Sequence, residues 1–268
     1  MEALSEAGYR LADRLKDVLK KPIVIKKINN LTYLFQVFEY DLTIFYYLPG
    51  SSRIFNGPTN FSGSIQIHLD EDIWLSKPTL LINRILVLTG NGKRVFARLC
   101  VVARIDKKTA SDFQNEHHLQ GELSGKYRYG LFFEGELIAS AVFSGGRLMR
   151  HTENYRSFEC LSFCTKQQFS VIGGLSKLLK AFSRDFRPND IMTYVDRDWS
   201  DGKKFEKLGF KKIIITDPQC FLVNKITHKR LPMKNNEVLF NSDSFYQVAN
   251  SGSIKMINYY EGLTALSD

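Results

Sequence analysis

The chain has 268 residues, of which 44% are hydrophobic and 24% are charged. These values are typical of a globular protein and exclude a disordered one, and no run of about 18 apolar residues could cross a bilayer. The formal net charge of +9 favours a polyanion as substrate or ligand, and nucleic acid is one such partner.

Residues 1–6 are acidic where a secretory signal peptide is basic, and no apolar segment follows them. None of the four cysteines has the histidine spacing of a metal site, and Cys160 and Cys164 lie in a strand-like apolar stretch. We therefore expect a cytoplasmic protein that has reduced core thiols and binds no metal, with a redox or metal role as the alternative.

The first third of the chain, residues 1–105, alternates between helical and strand-like patterns. We expect it to form an α+β accessory region. The patterns predict a helix over 5–20, several strands between 23 and 67 around a loop at 49–64, a helix at 78–88, and a strand over 94–105.

An acidic triplet, Asp70-Glu71-Asp72, precedes the second predicted helix of this region. Together with Lys77 it resembles the carboxylate cluster of a nuclease. Acidic residues before a helix are also ordinary capping chemistry, since they compensate the positive end of the helix dipole. A lone carboxylate cluster does not define a site, so capping is the preferred interpretation.

The remaining two thirds, residues 106–268, have sharper patterns. A short helix at 108–121 is expected to begin at Thr109 or Ser111, both of which have side chains suited to a helix N-cap. The later elements follow from periodicity and turn composition. They are a β-hairpin over 126–146, a strand at 157–165, a helix at 171–186, a strand at 190–196, a helix at 201–210, a strand at 211–216 and a hairpin turning at 250–252.

The segment that points to a ligand lies between a strand and a long apolar helix. Glycines let the backbone approach a pyrophosphate, and the free N–H groups of a first helical turn bind its negative charge. Gly-Gly before a helix also occurs where a strand and a helix pack closely. We predict that this segment binds a phosphorylated cofactor through Val171, Ile172, Gly173, Gly174, Leu175, Ser176 and Lys177.

These residues and their order resemble the GNAT superfamily of N-acetyltransferases, whose Q/R-x-x-G-x-G/A loop aligns with Val171, Gly174 and Ser176. A second block, Phe205 to Phe210, looks like the Y-E-K-L-G-F ending of many GNAT domains. The resemblance implies an α+β protein with the mixed sheet of the GNAT fold that uses acetyl-CoA, or another acyl-CoA, to acylate an amine. Phe205 stands where the family often has a tyrosine, and phenylalanine has no proton to donate. The domain therefore uses another acid, relies on solvent for that proton, or is not catalytic.

The run Tyr194 to Gly202 resembles a phage and mobile-element branch of that superfamily, related to the Mom-type DNA-modification enzymes. Two further blocks, 117–121 and 251–255, also resemble that branch. The resemblance implies a DNA base, or another nucleic acid, as an alternative acceptor or partner, which agrees with the positive charge.

Four side chains are candidates for the base that deprotonates the amine. Asp196 and Asp198 follow a strand at the sheet edge where ligands bind in open α/β sheets, although both are suited to turn and cap hydrogen bonds. Glu159 lies on the strand before the glycines, where many GNAT enzymes hold a base, or is an ordinary edge glutamate. His118 has a suitable unperturbed pKa, and the alternative is that at least one of the pair His117 and His118 caps a helix C-terminus.

Overall fold

The computed structural model describes residues 4–54, 65–149, 154–233 and 242–260. Helices and strands alternate in it, and the predicted α+β class is confirmed. Within these residues no helix is both long and apolar enough to span a membrane.

The helices and strands of the described residues are numbered in chain order. The helices are α1 (Glu6–Leu19), α2 (Glu71–Ser76), α3 (Pro78–Leu88), α4 (Lys107–His117), α5 (Gly174–Phe186) and α6 (Lys203–Glu206). The strands are β1 (Val24–Asn29), β2 (Thr32–Val37), β3 (Leu42–Tyr47), β4 (Ile65–Asp70), β5 (Lys93–Phe96), β6 (Val101–Arg104), β7 (Tyr127–Phe133), β8 (Glu136–Phe143), β9 (Arg147–Leu148), β10 (Arg156–Thr165), β11 (Phe169–Ile172), β12 (Asp190–Asp196), β13 (Lys211–Ile215), β14 (Cys220–Asn224), β15 (Arg230–Pro232), β16 (Phe245–Ala249) and β17 (Ser253–Tyr259).

The chain folds into two compact units, each built from segments that are separate in sequence. The predicted division was into two continuous pieces, 1–105 and 106–268. The first unit comprises residues 1–91, 196–201 and 215–253, and the second comprises 92–195, 202–214 and 254–268.

The first unit contains a four-stranded sheet of order β1-β2-β3-β4 and helices α1 to α3. Helix α1 matches the predicted helix: Ser5 accepts the N–H of Gly8 at 3.0 Å, and Leu11 and Leu15 on its apolar stripe are fully buried. Every residue of β2 and β3 is buried, including the polar residues Thr32, Gln36 and Thr43. Helix α3 has the predicted bounds.

A second sheet of the first unit has the order β15-β14-β16. The predicted hairpin around residues 250–252 is wrong, because β16 pairs with β14 whereas β17 joins a different sheet. Gly252 lies between these strands at φ +74°, where a Cβ would collide with the carbonyl oxygen of Thr216. The composition of residues 250–252 therefore indicated a break between two strands but could not indicate the strand partners.

The second unit is built on a mixed sheet of order β13-β17-β12-β10-β8-β7-β6, with β9 paired to β10. Strands β6, β7, β8 and β10 are antiparallel neighbours, whereas β10 and β12 run parallel. Helix α5 buries its apolar stripe on this sheet, where Phe182 stacks on Phe143 with ring centroids 4.0 Å apart. The predicted hairpin over 126–146 is confirmed as β7 and β8.

Two local expectations for the second unit are wrong. The single strand predicted over 94–105 is divided into β5 and β6 by a 3-10 turn, because β5 pairs with the distant strand β11 and β6 pairs with β7. Helix α4 begins at Lys107, so neither Thr109 nor Ser111 is its cap. The Asp106 carboxylate caps it instead by accepting the Thr109 N–H at 2.8 Å.

Candidate active site

The central feature of the second unit is an opening between two neighbouring parallel strands. Strands β10 and β12 pair at only three positions, the last of which is Glu159 opposite Met192. At the next position the Thr193 hydroxyl, rather than a backbone N–H, donates to the Cys160 carbonyl at 2.9 Å. Beyond that bond, no described residue of β10 pairs with β12, so the strands separate towards their carboxyl ends.

A β-bulge lies beside the start of this opening. The register of β10 against β8 shifts between Cys160 and Ser162, which leaves Leu161 as the extra residue. The backbone of Glu159 is fastened to the β8 side: its N–H donates to the Ser144 hydroxyl and its carbonyl accepts the Ser144 N–H, both at 2.9 Å. A bulge at this point redirects the backbone N–H groups of β10 next to the opening.

The predicted glycines form the start of helix α5. Gly173 is its N-cap at φ +77°, a conformation that favours glycine, and no side chain caps the helix. A Cβ on Gly174 would lie 3.0 Å from Val171, so close packing also requires a small residue there. The N–H groups of residues 174–176 have no intrahelical acceptor and are available to an anion. Val171 and Ile172 belong to β11, so the predicted seven-residue segment is part strand and part helix.

Lys177, predicted to contact phosphate, is used elsewhere. Its Nζ donates to the carbonyl oxygens of Ala97 at 2.9 Å and Cys100 at 2.5 Å. These bonds hold the 3-10 turn between β5 and β6 against α5. The same lysine borders a cavity of about 480 Å³ that is lined by Cys100, Val101, Val102, Lys177, Lys180, Ala181 and Arg184.

Glu159 lies where the opening begins and is half-buried. Burial raises the pKa of its carboxyl group, while the charges of Arg147 and Lys255 act in the opposite direction. A carboxylate whose pKa is raised binds a proton more tightly than a free glutamate does, as a general base near neutral pH requires.

Asp196 and Asp198 lie in the first unit, and their hydrogen bonds are structural. Asp196 accepts the Asp198 N–H at 2.9 Å, and its carbonyl accepts the N–H of Ser200 at 3.0 Å. Asp198 is buried, pairs with Arg53 at 3.0 Å and accepts the Ser251 N–H at 3.1 Å. Burial, followed by the Asp198 charge, raises the pKa of Asp196. Asp196 therefore makes the kind of turn hydrogen bond that was the alternative to catalysis, whereas the Asp198 carboxylate bonds to residues distant in sequence. Neither caps the next helix, which begins at Lys203.

The acidic triplet belongs to the same network of buried charges. Arg53 donates to both Asp70 oxygens, at 2.5 and 2.8 Å, and Arg230 binds Asp70 and Asp72 with three bonds of 2.6 to 2.9 Å. Glu71 accepts from the hydroxyls of Ser5 and Tyr46. Every carboxylate of the triplet has a partner within the fold, and the nuclease alternative gains no support. Capping is not its main role either, because Asp70 makes no side-chain cap bond to α2.

The two histidines lie at the end of helix α4. His118 is the C-cap residue, and its N–H donates to the Gln114 carbonyl at 2.8 Å. His117 packs edge-on against Phe113 with ring centroids 4.4 Å apart, and burial lowers its pKa. The backbone of His118 thus ends the helix, and a role of its imidazole as a base stays a prediction.

Phe205, the residue in the position of the family's tyrosine, packs into the core of the second unit. Its ring meets Phe210 edge-on at a centroid distance of 5.5 Å. Sequence reasoning did not identify Ser144, Arg147 and Lys255 around Glu159, nor the arginines that neutralise the acidic triplet. No local pattern distinguishes these residues, because each reaches its partner through strand pairing or tertiary contact.

No protein-family model matches the chain, and no curated protein matches it. Among solved structures, an acetyltransferase of Bacillus subtilis in complex with CoA is similar at 12% identity and a TM-score of 0.37, over 60% of this chain and 99% of that one. A GNAT family acetyltransferase of Elizabethkingia anophelis with acetyl-CoA bound has 12% identity and a TM-score of 0.34 over the same shares. An IAA acetyltransferase of Bacillus cereus has 13% sequence identity and a TM-score of 0.35, and the match again covers 60% of this chain and 99% of that one. Similarity this low carries no conclusion about the activity of this chain.

Proposed function

We propose that this chain is an N-acyltransferase of the GNAT type that takes its acyl group from acetyl-CoA or another acyl-CoA. The observation that carries the proposal is the opening between β10 and β12, in the same unit as a helix, α5, whose N-terminus at Gly173 no side chain caps. A strand, a glycine turn, a helix and a parallel strand follow one another in the order that the sequence resemblance implied.

The residues around the opening fit acyl-CoA. The separated edges of two strands offer backbone donors and acceptors to an amide-bearing arm, as in strand addition to a sheet. The N–H groups of Gly174, Leu175 and Ser176 would hold the pyrophosphate, supported by the dipole of α5. Lys177 would contribute charge but no hydrogen bond while it holds the carbonyls of the 3-10 turn.

When bound, acyl-CoA supplies an acyl group activated as a thioester. Glu159 accepts the proton that the acceptor nitrogen loses as its bond to the acyl carbon forms. A backbone N–H of β10 beside the bulge at Leu161 donates to the carbonyl oxygen as negative charge develops on it. The carbon–sulfur bond breaks, and the sulfur leaves with the electron pair. Phe205 has no proton to give, so the thiolate takes its proton from water.

A charge introduced at the helix start tests cofactor binding without disturbing the fold. Ser176→Asp places a carboxylate in the first turn of α5, where it favours the helix but repels a pyrophosphate. Ser176→Asn introduces a side chain of nearly the same shape as aspartate but without its charge. We expect isothermal titration calorimetry to show CoA binding to wild type and Ser176→Asn, and at least about tenfold weaker binding to Ser176→Asp. Absence of binding to wild type, or equal affinity in all three proteins, would refute the proposal.

A DNA base as acceptor, which the resemblance to Mom-type enzymes implied, stays a prediction, as do nucleic-acid binding and a cytoplasmic location. Incubating the protein with radiolabelled acetyl-CoA and a DNA oligonucleotide tests the acceptor directly. Label incorporated into the oligonucleotide would support a DNA acceptor, and salt-sensitive binding without label would support nucleic-acid binding alone.

A further inference from the structure

Three charged side chains share one face of the second unit's sheet at the opening. Glu159 lies between two residues of β10 that belong to the core around α5, so its side chain points to the opposite face. Lys255 is likewise flanked in β17 by two core residues. Arg147 pairs in register with Ser157, two positions before Glu159, which places Arg147 on that face as well.

This arrangement gives the face two cations around one carboxylate. Arg147 is exposed and Lys255 is half-exposed. Within the described residues neither of them forms an ion pair, whereas the arginines of the first unit's network are buried against carboxylates. Both charges lower the pKa of the Glu159 carboxyl group, in agreement with their placement on the same face of the sheet.

We propose that the acceptor is an amine that also carries a carboxylate or phosphate close to the reacting nitrogen. Arg147 and Lys255 would bind that anionic group while Glu159 takes the proton from the nitrogen. A polyamine or a lysine-rich peptide would bring further positive charge to this face and would be repelled. The inference rests on the proposed acyl transfer, since it names the substrate class of the same site.

Matched acceptors that differ only in the anionic group test the inference. The panel pairs each of several amino acids with its decarboxylated amine, such as tyrosine with tyramine. It also pairs phosphoethanolamine with ethanolamine, and it includes spermidine as a polycation. Release of CoA thiol from acetyl-CoA is measured for each acceptor, after calorimetry has established CoA binding. We expect the anionic member of a pair to have the higher kcat/KM, by about tenfold or more. A preference confined to the amino-acid pairs would identify a carboxylate as the anionic group, and one confined to phosphoethanolamine would identify a phosphate.

Charge reversal identifies the residues responsible. Arg147→Glu and Lys255→Glu are expected to reduce or invert the preference within each pair. Lys180→Glu, at an exposed lysine of helix α5 on the opposite face of the sheet, is expected to leave it unchanged. Turnover of the neutral or polycationic acceptors above the anionic ones would overturn the inference, and so would CoA binding without turnover of any anionic acceptor. Failure of wild type to bind CoA would instead overturn the proposed function.

Discussion

Replacing Arg53 with methionine would remove the cation that joins two buried aspartates of the first unit. The Arg53 side chain is 5% exposed, and it binds Asp70 in a bidentate arrangement and Asp198 at 3.0 Å. Methionine fills similar apolar volume, but among the described residues it leaves the Asp198 carboxylate bonded only to the Ser251 N–H and the Asp70 carboxylate bonded only to Arg230.

The magnitude follows from the burial of these charges. At an effective dielectric constant of about 20, unit charges about 4 Å apart attract by about 4 kcal/mol, part of which offsets desolvation. Removing one partner of a buried pair typically costs about 3–5 kcal/mol, because the other charge is left uncompensated. We expect Arg53→Met to lower the free energy of unfolding of the first unit by about that amount. Arg53→Met/Asp198→Asn should lose less than the sum of the two single variants.

The chain provides its own probe for this unit, since its two tryptophans, Trp74 and Trp199, both belong to it. Urea unfolding followed by tryptophan fluorescence therefore reports the first unit. Arg14→Met, at an exposed arginine of α1, is the control and should change stability by less than about 0.5 kcal/mol. A loss below about 1 kcal/mol for Arg53→Met, or strict additivity in the double variant, would refute this account of the network.

The stability that the Arg53–Asp70 pair gives to the first unit depends on pH in a defined direction. The charges of Arg53 and Arg230 oppose the effect of burial and hold the pKa of Asp70 below its ordinary value. The stabilisation this provides is therefore complete above the unfolded-state carboxyl pKa and is lost as the pH falls through the lowered value. The penalty of Arg53→Met should consequently be smaller in acid than at neutral pH, and urea titrations at a series of pH values would measure it.

Three further outcomes are expected. The kcat/KM for acyl transfer should fall as the pH drops through the raised pKa of Glu159. Arg147→Gln should move this fall to higher pH, because it removes a charge that lowers that pKa. A pH–rate profile unchanged in Glu159→Gln would contradict the role of Glu159 as base. Lys177→Met should lower the free energy of unfolding of the second unit by about 1–3 kcal/mol, and hence its melting temperature, because two hydrogen bonds to carbonyls are lost. It should weaken CoA binding only slightly. Loss of CoA binding without loss of stability would show that Lys177 holds phosphate instead. Iodoacetamide at pH 8 should label Cys220 and spare Cys160, whose pKa is raised to about 12 by burial, and mass spectrometry showing equal labelling would contradict the packing of β10.

The elements predicted best from sequence are those whose signals are local. Helix α3 and strand β12 have the predicted bounds, since a proline start in one and an apolar run in the other are visible within a single window. Strand β11 was missed. It exists because it pairs in parallel with β5, about 75 residues earlier in the chain, and periodicity contains no information on such a partner.

The candidate site was predicted in part. The start of α5 at Gly173 and Gly174 lies where the pattern placed it, because a glycine turn before an apolar helix is a local feature. The four proposed bases were not equivalent, and sequence gave no means of ranking them. The backbone of His118 caps α4, Asp196 and Asp198 are held within the first unit, and Glu159 lies at the last position where β10 pairs with β12.

By itself the sequence determined the α+β class, most helices and strands, and the glycine start of helix α5. Only the tertiary structure decided which carboxylates are neutralised by arginines and which lies beside the end of strand pairing. Asp198 meets Arg53 across 145 residues of chain, and Glu159 meets the opening because β10 and β12 stop pairing beside it. The state of a charge depends on burial and on neighbours brought from distant segments, and composition or spacing along the chain does not encode either.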